Sequence, residues 1–359
     1  MAQDEVLKIG SLLIVNNKQS RSPKSGKFLL TNDCLYYVSK LTQAPKDKLK
    51  LSYKACIHLD WLQTCFYTRR SEDSCTKECY FEIMRQRKAV KFQCLDTKDY
   101  QEWADHLTKS TIQTNFKAKY TVCERIGTAS LGNLYSVRCN VTSKLYACKE
   151  FDKAKIESAK TLFSISNEIK LLRMFNGHPN IVEFCEVQET NEAVYLILEY
   201  LEGGRIVKSN VRYEEEEIKV IARAVLKGLM EIHSRGVVHR DLKPGNILLK
   251  YNDRPIAEND IKIIDFGISL DPTIEEDWFQ NCGTVGYLSP ESFYPKDESR
   301  ITPKSDIYSL GVILHNAFTG SKLFRQPNEQ LTYTANKRGF IDYSVNYHVS
   351  FPPERKLKS

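Results

Sequence analysis

His239-Arg240-Asp241-Leu242-Lys243-Pro244-Gly245-Asn246, followed downstream by Asp265-Phe266-Gly267, is the stretch that decides how this chain is read. The 27 residues from His239 to Asp265 set out two widely spaced carboxylates, an ammonium and a carboxamide. The apolar runs 247–249 and 261–264 flank a polar turn, which predicts a hairpin holding Asn246 and Asp265 on adjacent loops. Carboxylate and amide oxygens suit Mg2+, a hard cation that takes few protein ligands. Further on, Cys282-Gly283-Thr284-Val285-Gly286-Tyr287-Leu288-Ser289-Pro290-Glu291 reads as a loop, and Asp306 opens a helical segment.

Upstream, Ile126-Gly127-Thr128-Ala129-Ser130-Leu131-Gly132-Asn133-Leu134 reads as a tight glycine hairpin. Tyr146-Ala147-Cys148-Lys149 is β-rich and ends in a lysine, and Glu168 follows 19 residues later. Glu168 lies in a helical segment, 164–175, whose Ile165, Ile169 and Leu172 form an apolar stripe. Val194-Tyr195-Leu196-Ile197-Leu198 predicts a buried strand leading through Glu199 and Leu201 into Glu202-Gly203-Gly204. The order of these motifs resembles a eukaryotic Ser/Thr protein kinase, most closely the calcium/calmodulin-dependent group. No calmodulin-binding helix or EF-hand follows, so calcium control is not expected.

The resemblance implies a bilobal fold, with a β-rich N-lobe and a mostly helical C-lobe, over residues 120–359. ATP would lie against Ile126, Gly127, Gly132, Leu134, Ala147 and Lys149, and against the backbone of Glu199 and Leu201. Lys149 would pair with Glu168, since a buried lysine left without a counter-charge is costly. Asp241 would accept the proton of a substrate hydroxyl, Lys243 would face the γ-phosphate, and Thr284 would bond both. Asn246 and Asp265 would hold Mg2+. Protein Ser and Thr hydroxyls are the implied substrates. A catalytically weak ATP-binding scaffold is the rival, given Ala129 at the second glycine of the loop.

Three departures bear on regulation and substrate. Arg240 calls for negative charge in the activation segment, yet Gln280 occupies the customary phosphorylation position. Thr273, Glu275, Glu276 and Asp277 lie just upstream, which predicts activity without loop phosphorylation. Relatives that favour arginine upstream of the phosphosite place carboxylates where this chain has Arg205, Gly245 and Asn316, so basic substrates are not expected to be preferred. After Gly320 only 39 residues remain, with one short helix predicted at 327–333. The resemblance therefore implies a truncated C-lobe, or an incomplete chain, in which Glu291 lacks its usual arginine.

Residues 5–110 are dominated by strand signals at 7–15, 28–38, 49–62, 79–85 and 89–95. Thr97 then reads as the N-cap of a helix with Tyr100, Trp103, Ala104 and Leu107 on one face. Several strands closed by a Trp-bearing helix resemble a pleckstrin-homology domain, here a β-barrel or sandwich, and the overall class is α+β. Ile14 and Gly26 stand where lipid-binding members carry Lys and Arg, while Lys18, Arg21, Lys24 and Lys27 crowd the loop between the first strands. Weak contact with an anionic membrane or phosphoinositide, docking onto the kinase domain, or action as a membrane adaptor all remain open. The segment 111–119 is polar and reads as a linker.

Residues 1–119 carry 21 Lys and Arg against 13 Asp and Glu, and the remainder 31 against 32, so the whole net charge of +7 originates at the N-terminal end. Charge alone points to an anionic surface or to plain solubility; with the kinase resemblance, nucleic acid is not expected as a partner. The sequence shows no secretory signal and no membrane-spanning apolar run. Its 11 cysteines lack paired metal-ligand spacing, with Cys75 and Cys79 the closest pair. A reduced, cytoplasmic protein follows, with peripheral membrane contact open.

Overall fold

The computed structural model describes residues 6–15, 24–31, 34–43, 49–58, 64–70, 79–85, 88–129, 131–208, 211–270, 282–293, 302–324, 326–339 and 341. The chain divides into two compact units, one of residues 1–158 with 183–200 and the other of 159–182 with 201–359.

The first unit opens with strands β1 (Val6–Val15), β2 (Lys24–Thr31), β3 (Cys34–Gln43), β4 (Leu49–His58), β5 (Thr64–Arg70), β6 (Cys79–Arg85) and β7 (Lys88–Gln93). Helix α1 (Thr97–Ser110), β8 (Ile112–Gln113) and the short α2 (Phe116–Lys119) follow. Then come β9 (Tyr120–Ala129), β10 (Gly132–Cys139) and β11 (Leu145–Asp152). After α3 (Ala159–Met174), which belongs to the second unit, β12 (Phe184–Glu189) and β13 (Ala193–Glu199) complete the first.

These strands form one sheet in the order β4-β3-β2-β1-β7-β6-β5-β8-β12-β13-β11-β10-β9. Phe28, Leu30, Phe81, Phe92 and Trp103 form the core between the early strands and α1, and Trp103 is fully buried. Tyr100, Ala104 and Leu107 are buried with it, as the helical pattern predicts. The cap is one residue earlier than expected. Asp96, extended at φ −154°, accepts the Asp99 N–H at 2.8 Å, and Thr97 is already helical. Strand β5 was not foreseen; the stretch 28–37, which resembles the second and third strands of the pleckstrin-homology family, spans the turn of a hairpin of β2 and β3.

The largest difference lies at 111–119. The segment read as a linker carries secondary structure: it inserts β8 parallel to both β5 and β12, with Ile112 opposite Cys65 and Val187. Thr111, Ile112, Gln113 and Phe116 are buried. The polar side chains that suggested a linker are satisfied inside: Gln188 Nε2 donates to Asn115 Oδ1 at 3.0 Å and to Glu186 Oε1 at 2.7 Å. Lys119 Nζ and the Tyr120 hydroxyl donate to Glu186 at 2.6 and 2.9 Å. Burial, and then the Glu186 carboxylate, raise the Tyr120 phenol, so it stays a neutral donor.

The second unit holds α3, β14 (Gly204–Arg205), α4 (Glu215–Ser234), β15 (Ile247–Leu249), β16 (Ile261–Ile263), α5 (Pro303–Thr319) and α6 (Glu329–Arg338). Strand β15 pairs antiparallel with β14 and β16, the hairpin predicted from the apolar runs. Helix α4 starts in a capping box of Glu214 and Glu217. Helix α5 begins with Thr302 as N-cap and Pro303 in its first turn, and ends at left-handed Gly320. Helix α3 begins earlier than the predicted 164, and Ile165, Ile169 and Leu172 are all fully buried. Among the described residues no helix is long and apolar enough to cross a membrane.

Candidate active site

In the second unit, three side chains converge on one carboxylate. Thr284 Oγ1 donates to Asp241 Oδ1 at 2.6 Å, while Lys243 Nζ and Asn246 Nδ2 donate to Oδ2 at 2.6 and 3.0 Å. Lys243 Nζ also donates to Thr284 Oγ1 at 2.9 Å. Asn246 spends its amide nitrogen a second time on the Asp241 carbonyl, at 2.8 Å, so its amide oxygen is the atom it can offer outward.

The loop that carries Asp241 is held by Asp306 at the start of α5. Its carboxylate is 1% exposed and accepts the backbone N–H of both His239 and Arg240 at 2.9 Å. His233 Nε2 lies 2.7 Å from the same carboxylate. His239, fully buried, accepts the Asp241 N–H on Nδ1 at 3.3 Å, which leaves Nε2 to donate to Ile264 O at 3.1 Å. That ring links the Asp241 loop to the residue before Asp265. Arg240 and Asp265 both adopt left-handed backbone, at φ 71° and 66°, a strain that these surroundings sustain. Arg240 Nη2 donates to Cys282 Sγ at 2.9 Å. The acidic residues Glu275, Glu276 and Asp277, with Thr273 and Gln280, lie outside the described residues.

Helix α3 packs on the segment after Asp265. Ser164 Oγ donates to Gly267 O at 2.7 Å and Asn167 Nδ2 to Ser269 O at 2.8 Å. A Cβ built on Gly267 would lie 3.5 Å from Glu168 Oε2 and 3.6 Å from Asp265 Oδ1, so Glu168 and Asp265 share one neighbourhood. Sequence reading missed Ser164 and Asn167, because a hydroxyl and an amide in a helix usually signal only an exposed face.

The remaining candidates lie in the first unit. Gly127 is opposite Leu134, and Leu134 opposite Lys149, which is itself opposite Leu196. Directly opposed residues share a face of the sheet, and Ala147 lies on that same face by alternation. Ile126 precedes Gly127 on β9 and is 38% exposed. Gly132 is demanded by a close approach, since a Cβ there would lie 2.3 Å from Glu150 O. Glu199 ends β13 and donates its N–H to Glu183 O at 3.0 Å. Lys149 and Glu168 fall in different units, and Leu201 begins the second stretch of the second unit.

Residues 120–359 match the model of the protein kinase domain. The chain belongs to the protein kinase family. Its relatives include a Plasmodium falciparum (isolate K1 / Thailand) protein named "Probable serine/threonine-protein kinase 2", 31% identical over 275 residues, 75% of this chain and 51% of that protein. Calcium-dependent protein kinase 17 of Arabidopsis thaliana is 28% identical over 243 residues, 67% of this chain and 45% of its own. Calcium-dependent protein kinase 7 of Oryza sativa subsp. japonica is 29% identical over 232 residues, 64% and 42% respectively. The chain spans about half the length of the relatives it matches.

Within this kinase domain, Glu291 accepts a hydrogen bond from Ser305 Oγ at 3.1 Å. Helix α6 runs five residues beyond the predicted 333, to Arg338, and brings in a residue that sequence reading missed. Asn336, fully buried, accepts the Gly286 N–H at 2.8 Å and donates to Leu288 O at 2.7 Å, pinning the loop that contains Thr284. The available signals were Asn328 as N-cap and Gly339 as C-cap, which bracket the full helix.

Proposed function

We propose that this chain is an ATP- and Mg2+-dependent kinase that phosphorylates Ser and Thr hydroxyls of protein substrates. The observation that carries the reading is the Asp241 carboxylate, held on both oxygens by Thr284, Lys243 and Asn246. A carboxylate fixed in this way accepts a hydrogen bond from the incoming hydroxyl and orients its oxygen toward the γ-phosphorus. As the new O–P bond forms and the bond to the ADP oxygen breaks, the hydroxyl proton passes to Asp241. Lys243 adds positive charge where the phosphoryl group transfers. The free amide oxygen of Asn246 and the Asp265 carboxylate make an oxygen pair that suits Mg2+. Bound Mg2+ neutralises charge on the ATP phosphates. Lys149 is assigned to the phosphates, with Ile126, Gly127, Gly132, Leu134, Ala147 and Glu199 around the rest of ATP.

Radiolabelled γ-phosphate transfer to a generic protein substrate tests the reading. Asp241→Asn should lower turnover by about a hundredfold or more, the usual contribution of a positioned base, while still binding an ATP analogue. If wild type binds nucleotide yet transfers nothing, the scaffold reading replaces this one.

For residues 5–110 we infer a pleckstrin-homology-like domain that docks on the kinase domain. The antiparallel run of β1 to β7, closed by α1 with buried Trp103, supports the likeness. The pairing of β8 with both β5 and β12 supports docking. Packing speaks against a strong phosphoinositide site: a Cβ at Gly26 would lie 2.2 Å from the Tyr37 ring, leaving no room for an arginine. Lys18 and Arg21 lie outside the described residues.

A further inference from the structure

Beside the Asp241 loop lies a groove of about 610 Å³, walled by residues of the second unit. Its floor is the Lys243-Pro244-Gly245 turn and one side is the Val285-Gly286-Tyr287 stretch that Asn336 pins. Among the described residues, four cationic side chains line it, Arg205, Lys208, Lys243 and Lys322, and no carboxylate does. Lys243 is engaged by Asp241 and Thr284. Arg205, Lys208 and Lys322 are exposed, and none of them pairs with a carboxylate among the described residues.

The backbone places these charges reproducibly. Arg205 is opposite Leu248 in the β14–β15 pairing, and Ile206 donates its N–H to Ile247 O at 3.0 Å, directly after Asn246. Asn316, buried on α5, accepts the Leu323 N–H at 2.8 Å and so fixes the 321–324 turn that presents Lys322. Two separate segments therefore bring positive charge to one groove that includes the Lys243–Gly245 turn after Asp241.

We propose that this groove selects anionic peptides, with Asp, Glu or phosphoserine beside the acceptor hydroxyl. Cations without a carboxylate partner among the described residues gain by meeting carboxylate or phosphate, whereas an arginine-rich peptide would meet like charge there. The inference rests on the kinase reading above for its acceptor chemistry. Binding is therefore measured apart from turnover.

The full chain is offered serine peptides that differ only in three flanking residues on either side: Asp, Ala, Arg or phosphoserine. Both kcat/KM and fluorescence-polarisation binding of the labelled peptides are measured. The Asp peptide should exceed the Ala peptide by roughly tenfold, the compounded gain of a few exposed ion pairs, and added salt should erode that margin. The double charge reversal Arg205→Glu, Lys322→Glu should turn the preference toward the Arg peptide, a gain that misfolding cannot imitate. Equal handling of all peptides, preference for Arg by wild type, or an unchanged preference in the double variant overturns the proposal. Response to phosphoserine but not Asp identifies previously phosphorylated substrates as the anion source. Selective binding of anionic peptide without any transfer leaves the groove assignment standing and overturns the kinase reading instead.

Discussion

Asn336 shows how much a single buried amide can decide. Both ends of its side chain are spent on the backbone of the Thr284 loop, at Gly286 N and Leu288 O. Truncation to Ala would strand a buried donor and acceptor, at a cost of about 2–4 kcal/mol. The expected outcome is a lower urea midpoint together with a raised KM for peptide, since the loop also walls the groove. An Ala variant with wild-type midpoint and KM would refute the assignment. Asp241, Lys243, Asn246 and Thr284, which the structure brings together, were legible in the sequence because they lie in motifs of fixed local spacing. Asn336 was not, because its two partners lie about 50 positions away and no local pattern marks an amide as a staple.

At the scale of elements, β8 is the informative case. Two residues long, it carries no periodicity and sits in a polar stretch, so only pairing on both sides reveals it. Its neighbour β12 supplies Glu186, 3% exposed in its side chain, which satisfies Lys119, Tyr120 and Gln188. Glu186→Leu should cost about 2–3 kcal/mol, the lower range for breaking a buried pair because Lys119 keeps partial access to water. Chemical denaturation followed by the fluorescence of Trp103 would register the loss, and an unaltered midpoint would show that the network is ornamental. By contrast, α1, α3 and the β15–β16 hairpin were readable in advance, since each displays a full apolar period on its own.

For the whole molecule, the first unit is one hydrogen-bonded sheet from β4 to β9, so the early strands should not behave as a detachable module. Native-state hydrogen exchange should show β12 amides protected to the same degree as those of β6 and β7. Removing residues 1–110 should raise exchange across 184–189, because β8 loses β5 and the buried face of Thr111 and Ile112 becomes wet. Unchanged protection in that shortened chain would make the two parts independent. What the amino-acid order determined by itself was the protein kinase family and the elements that carry a full apolar period, since periodicity and motif spacing are local properties. Tertiary structure alone decided that 111–119 is a strand-bearing joint, that the His239 ring ties the Asp241 loop to Ile264, and that Arg205 and Lys322 share a groove. Those facts depend on which distant segments meet, and the free energy of burying a polar group is set by the partner it finds there.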